Sequence, residues 1–109
     1  MPLYDIHLTR DAFHDLESIH AALHRTESEA AARKTIESIR KACESLRENP
    51  ERGSWPSELL DFGNRKYRQL QVTPYRVIYQ VIGQAVYLQL IADSRRNLAP
   101  LLARRLLQS

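Results

Sequence analysis

Tyr67-Arg68-Gln69-Leu70-Gln71-Val72-Thr73-Pro74-Tyr75-Arg76-Val77-Ile78-Tyr79-Gln80-Val81-Ile82-Gly83-Gln84-Ala85-Val86-Tyr87-Leu88-Gln89-Leu90-Ile91-Ala92 is the stretch that decides the fold. Three β-rich runs, Tyr67–Val72, Tyr75–Val81 and Val86–Ala92, carry the period of two that turns successive side chains to opposite faces of a strand. Thr73-Pro74 and Ile82-Gly83-Gln84 separate them and leave room only for tight reversals, so the runs predict an antiparallel meander. Both faces of the last two strands are apolar, with Val77, Tyr79 and Val81 on one and Ile78 and Ile82 on the other. One face is expected to pack against helices and the other to form a concave working surface.

Upstream the period changes. Tyr4, Ile6 and Leu8 alternate with polar residues as in a short half-buried strand, and Thr9 then offers a helix N-cap. From Arg10 to about Arg25, Phe13, Leu16, Ile19 or His20, and Leu23 recur at helical steps on one face, with Asp11 favourably placed in the first turn. Thr26 and Glu29 have the spacing of a capping box. A second helix follows to about Glu48, with Ala32, Ile36, Ile39, Cys43 and Leu46 as its seam, and Asn49-Pro50 ends it. Such closely joined helices predict an antiparallel hairpin with facing seams. The stretch 51–64 reads as a loop carrying Trp55 and a short turn at Glu58–Asp61, and Leu98–Leu107 reads as a short last helix. The fold class expected is therefore α+β, an N-terminal strand and helical hairpin packed on a C-terminal β-meander, in a single domain over residues 1–109.

No apolar run approaches the roughly 18 residues of a membrane span, and no signal-peptide layout is present, so a cytoplasmic protein without membrane contact is expected. The lone Cys43 has no second thiol for a disulfide or a zinc site, and it falls in the apolar seam, where a thiol acts as a small hydrophobe. Three glycines provide no phosphate-binding loop. All four histidines lie between His7 and His24. His20 and His24 are one helical turn apart with Glu17 alongside, but two such histidines without further ligands read as solvent-facing side chains. No metal or cofactor is expected.

Charge is sorted along the chain. Residues 1–64 hold 8 Lys/Arg against 12 Asp/Glu, whereas residues 65–109 hold 8 Lys/Arg against Asp93 alone. The C-terminal part is thus +7 and attracts polyanions, either nucleic acid or an acidic protein segment. A meander is expected to bring Arg68, Arg76, Arg95 and Arg96 side by side, where guanidinium groups can grip phosphates or carboxylates through paired hydrogen bonds. Arg104 and Arg105 extend this basic set into the last helix.

Tyr67-Arg68, Tyr75-Arg76-Val77-Ile78-Tyr79-Gln80-Val81 and Val86-Tyr87-Leu88-Gln89-Leu90-Ile91-Ala92-Asp93-Ser94-Arg95-Arg96 resemble the C-terminal hallmark of the RelE/ParE toxin superfamily. Asp15-Leu16-Glu17-Ser18-Ile19, Ala30-Ala31 and Asn49-Pro50-Glu51-Arg52-Gly53 resemble the longer helical hairpin of its ParE branch. The resemblance implies the toxin of a type II toxin-antitoxin (plasmid stabilisation) system, which inhibits growth until a cognate antitoxin neutralises it.

Within that superfamily, RelE-like members cleave ribosome-bound mRNA, whereas ParE-like members poison DNA gyrase. For a RelE-like nuclease the resemblance would assign Arg68, Arg76, Arg96 and Tyr79, with Tyr75 and Tyr87 the other candidate acids or bases on the strands. Two positions depart from that branch: Leu70 stands where a strand lysine is found, and Leu102 where the C-terminal tyrosine is found. Leucine transfers no proton, and arginine is a poor base because its pKa exceeds about 12. The expectation is a gyrase-inhibiting binding protein, with Arg68, Arg76, Arg95, Arg96, Arg104 and Arg105 contacting target or antitoxin. The alternatives are an mRNA endoribonuclease, whose partners would be ribosome and mRNA, and a non-toxic binding module of the same fold.

Overall fold

The computed structural model describes residues 3–61 and 63–107; the ends of the expected domain, 1–2 and 108–109, lie outside the described residues. A first strand β1 (Asp5–Leu8) leads into helices α1 (Arg10–Thr26) and α2 (Glu29–Glu44), the latter ending in a 3-10 turn at Ser45–Arg47. After a loop and the short helix α3 (Ser57–Leu60) come β2 (Tyr67–Val72), β3 (Tyr75–Ile82) and β4 (Ala85–Asp93). Helix α4 (Ala99–Leu102) then widens into a π-turn at Ala103–Leu107. The sheet order is β1-β4-β3-β2, with the meander antiparallel and β1 added parallel to β4. This is the α+β architecture expected from the sequence.

Local chemistry explains the boundaries. Thr9 caps α1 by accepting the Ala12 N–H at 3.2 Å. The expected Thr26/Glu29 capping box is not the device used for α2. Thr26 is the last residue of α1, and its hydroxyl donates back to the Ala22 carbonyl at 2.8 Å. Ser28 is the cap instead, accepting from the Ala31 N–H at 2.9 Å, and Glu29 turns outward. Gly83 takes a φ of +60° at the first position of the β3–β4 turn, a conformation that glycine adopts without steric cost.

The helical hairpin covers one face of the sheet. Its core joins Ala12, Ile39, Cys43 and Leu46 to Leu70, Val77, Tyr79, Val86, Leu88 and Ile91. The stripe on α1 differs from the expected one, because the fully buried residue is Ala12 and Phe13, one step round the helix, is 48% exposed. Alanine lets α1 approach the sheet closely, which a phenylalanine at the contact would prevent.

A bulge divides β4 between the two faces. Ile78 pairs with Leu90 but Tyr79 with Leu88, so Gln89 is extra and the alternation switches there. Val86 and Leu88 face the helices before it, as does Ile91 after it, whereas Leu90 and Ala92 face the other way. That second face is not the open concave surface expected from the sequence. Leu59 of α3 and Leu98 and Leu102 of the C-terminal segment cover Ile78, Leu90 and Ala92, forming a second apolar core.

Candidate functional site

The six arginines singled out in the sequence do not form one cluster. In the β2–β3 register Arg68 lies opposite Tyr79 and Arg76 opposite Gln71. Side chains of directly opposed residues share a face and neighbours along a strand alternate, so Arg68 and Arg76 project from opposite faces.

Arg76 is the buried charged residue among those described, 8% exposed. Its two terminal nitrogens grip the Glu58 carboxylate at 2.6 and 2.9 Å, and its Nε donates to Gln69 Oε1 at 2.8 Å. The guanidinium in turn holds the Glu58 carboxyl below the usual carboxylate range, against an opposing push from burial. Strand β3 supplies the arginine and the first turn of α3 the carboxylate, so the pair ties the loop helix to the sheet.

Arg68 serves the other face. It donates to the Gly53 carbonyl at 2.9 Å and the Glu51 carbonyl at 3.2 Å, and its guanidinium carbon lies 3.9 Å from the centre of the Trp55 ring. The same loop is held from beneath by Tyr79, fully buried, whose hydroxyl donates to the Pro50 carbonyl at 2.8 Å and accepts the Gly53 N–H at 2.9 Å. Burial pushes the Tyr79 phenol above its ordinary range.

At the far end of β4, Arg95 is folded onto Asp93, with Nη2–Oδ2 at 2.5 Å, and this contact holds the Asp93 carboxyl down at about 2. Arg105 reaches back across the chain to grip both oxygens of Asp15 at 2.7 and 2.8 Å. Arg96 and Arg104 are exposed and make no ion pair among the described residues. Two of the eight cations in residues 65–109, Arg76 and Arg105, are thus answered by carboxylates from the acidic first part of the chain.

Those carboxylates, Asp15 and Glu58, are what sequence reasoning missed as partners. Asp15 flanks the apolar stripe of α1 next to Leu16, the place from which a side chain reaches the sheet edge. Glu58 lay within the predicted turn, but nothing local paired it with a residue 18 positions away.

The two leucines at the positions of proton-transfer residues are both core. Leu70 is 6% exposed in the helix-side core and Leu102 1% exposed in the second core. Tyr87 stacks on His7 with ring centres 5.0 Å apart. Cys43 is buried, and the cost of charging it there pushes the thiol up to about 12. His20 and His24 both lean on Glu29, at 3.2 and 3.4 Å, while Glu17 pairs with His14 instead. Among the described residues no group of three His, Cys, Asp or Glu side chains is arranged to hold a metal.

Two adjoining hollows on the surface are apolar. Between β1, α1 and α2 lies a groove of about 280 Å³ lined by Leu8, Leu16, Ile36, Ile39 and Leu88. It adjoins a shallower hollow of about 390 Å³ that adds Phe13 and His20. Leu8 is 41% exposed there, an unusual load of solvent-facing hydrophobe beside Phe13.

The family model for the ParE toxin of type II toxin-antitoxin systems, parDE, matches residues 6–98. The chain belongs to the ParE toxin family. In structure this ParE-family chain is similar to a chain of the chromosomal ParDE TA system from P. aeruginosa. The two are 21% identical, with a TM-score of 0.71 over 84% of this chain and 96% of that one, a likeness of fold. A sequence search of curated proteins finds no match. Among the described residues no helix is long and apolar enough to cross a membrane.

Proposed function

We propose that this ParE-family toxin arrests growth in the cytoplasm by binding and inhibiting DNA gyrase, and that a cognate antitoxin neutralises it. The observation that carries this reading is the commitment of Arg68, Arg76 and Tyr79 to structure, which leaves of the nuclease-type set only Arg96, a poor base, exposed. Arg76 is clamped by Glu58, both hydrogen-bonding roles of the Tyr79 hydroxyl are taken by the Pro50–Gly53 loop, and Leu70 and Leu102 are core. RNA cleavage through the ribose 2′-oxygen gains about 10²–10⁴-fold from each positioned acid or base, and these residues offer none. A protein so built acts by binding. The surface available to a target is basic, with Arg95, Arg96 and Arg104 exposed beside the C-terminal segment.

The antitoxin's seat in this reading is the apolar groove of Leu8, Phe13, Leu16, Ile36 and Leu88. An amphipathic segment laid there buries its apolar side chains against the groove and keeps its charges at the rim. Co-expression with the product of the adjacent reading frame tests this half of the reading: growth resumes and the two proteins co-purify. Supercoiling by purified gyrase in the presence of the toxin tests the other half.

A further inference from the structure

The cover over the second face of the sheet stops short of one end. Beyond the Ile78–Leu90 pair, which lies in the second core, β3 presents Gln80 and Ile82 on the same face. Gln80 is opposed by Tyr67 on β2 and by Tyr87 on β4, and Tyr87 in turn by His7 on β1. Directly opposed residues share a face, so Tyr67, Gln80, Tyr87 and His7 form one row across all four strands. Adjacent strands lie about 4.8 Å apart, which makes the row about 14 Å long. Three of its members are aromatic.

Tyr67 packs on the margin of the second core, whereas Tyr87 and His7 belong to neither core. The His7 and Tyr87 rings are stacked, 5.0 Å between centres and 19° from parallel. Because β1 is the outermost strand and His7 is exposed, the stack is open on its far side to a further planar group. At the opposite end, Arg65 and Lys66 directly precede Tyr67, are exposed, and make no ion pair among the described residues. Ile82, one step from Gln80 on the same face, is 53% exposed.

Aromatic rings in a row with free cations at one end are what a single nucleic-acid strand uses, its bases stacking and its phosphates following the charge. A duplex keeps its bases stacked on one another and offers no free ring. A proline-rich peptide also lies on aromatic side chains but has no use for the cations. The bare isoleucine favours thymine, whose methyl group makes apolar contact that uracil lacks. We infer that this end of the sheet binds a short stretch of single-stranded, thymine-bearing DNA. One base extends the His7–Tyr87 stack, another lies on Tyr67, and the Gln80 amide meets a base edge. Arg65 and Lys66 take the phosphates, while Asp5, exposed two residues before His7 on the same face, repels them and so orients the strand. The surface lies on the face away from the helical hairpin and its apolar groove. It binds without cleaving and does not depend on which target the toxin arrests.

The test is fluorescence anisotropy of a labelled thymidine decamer with the intact protein, beside a uridine decamer and a hairpin duplex. The thymidine strand should bind about tenfold more tightly than the duplex. His7→Ala and Tyr87→Ala should each weaken it about tenfold, the loss of one stacked base, while Tyr87→Phe, which keeps the ring, should bind as wild type. His7 is exposed, so its variant keeps the fold. Lys66→Ala should lower the slope of log affinity against log salt by about 0.7, one phosphate contact on a single strand. Ile82→Ala should erase the preference for thymidine over uridine. Equal binding of the duplex, equal or tighter binding of the uridine strand, or unchanged affinity in His7→Ala or Tyr87→Ala overturns the inference. So do shifts of the His7 and Tyr87 ring resonances that a capped oligoproline produces and the thymidine decamer does not, which would give the surface to a protein.

Discussion

Gly53 and Tyr79 are fitted to each other: a β-carbon at position 53 would lie 2.5 Å from the Tyr79 hydroxyl and 2.6 Å from the Gln69 carbonyl. The contact is tight because the Gly53 N–H donates to that hydroxyl while the hydroxyl donates to Pro50, pinning the loop that leaves α2 onto β3. Gly53→Ala should destabilise the fold by about 1–3 kcal/mol through overpacking. Tyr79→Phe should cost about 1–3 kcal/mol, since it strands a buried N–H and a carbonyl. Chemical denaturation of both variants measures this, and a Gly53→Ala protein as stable as wild type would show that the loop is free to move away.

Ile39 lies at the centre of the helical seam, 2% exposed against Leu46, Cys43 and the sheet. Ile39→Ala should cost about 2–5 kcal/mol in denaturant unfolding, the range for an unfilled core cavity. Ile36→Ala, at the rim of the apolar groove, should cost less and weaken antitoxin binding more.

The Glu58–Arg76 pair gives a pH dependence with a defined sign. The folded carboxyl titrates below its unfolded value, so the pair's contribution is fully present above the ordinary glutamate range near about 4.3. It is lost as pH falls through the lower, folded value. Glu58→Gln should therefore lower stability by about 1–3 kcal/mol at pH 7 and flatten the acid side of the stability profile. Parallel acid limbs for wild type and variant would remove the pair from the acid response.

The meander, both long helices and the loop around Trp55 were legible because each depends on local periodicity and turn chemistry. β1's parallel place beside β4 was not, since nothing in Tyr4–Leu8 names a partner about 80 residues away. The bulge at Gln89 was equally silent: Leu88, Leu90 and Ala92 look like one face of a regular strand. For the arginines, strand parity already separated Arg68 from Arg76 once the two-residue turn at Thr73-Pro74 fixed the register. Their pairing with Glu58 and Asp15 depended on tertiary approach. Charge sorting along the chain thus carried two meanings, internal pairing for Arg76 and Arg105 and an open surface for Arg96 and Arg104.

Substitution of Arg95 and Arg96 should separate toxicity from folding. Arg95 pairs with Asp93 at an exposed position, its side chain 77% exposed, and exposed pairs contribute little to stability. Arg95→Ala with Arg96→Ala should change unfolding free energy by no more than about 0.5 kcal/mol while weakening growth arrest in a plating assay. Full toxicity in the double variant would move the working surface elsewhere.

The most direct measurement of the central claim places the purified toxin in two reactions side by side: ATP-dependent supercoiling by DNA gyrase, and translation of a defined mRNA by ribosomes. Inhibition of supercoiling with the ribosome-bound mRNA left intact is the result expected of a binding toxin whose Arg76 and Tyr79 are structural. Codon-positioned cleavage of that mRNA, abolished by changing Arg76 or Tyr79 in a variant that remains folded, together with unaffected gyrase, would contradict it.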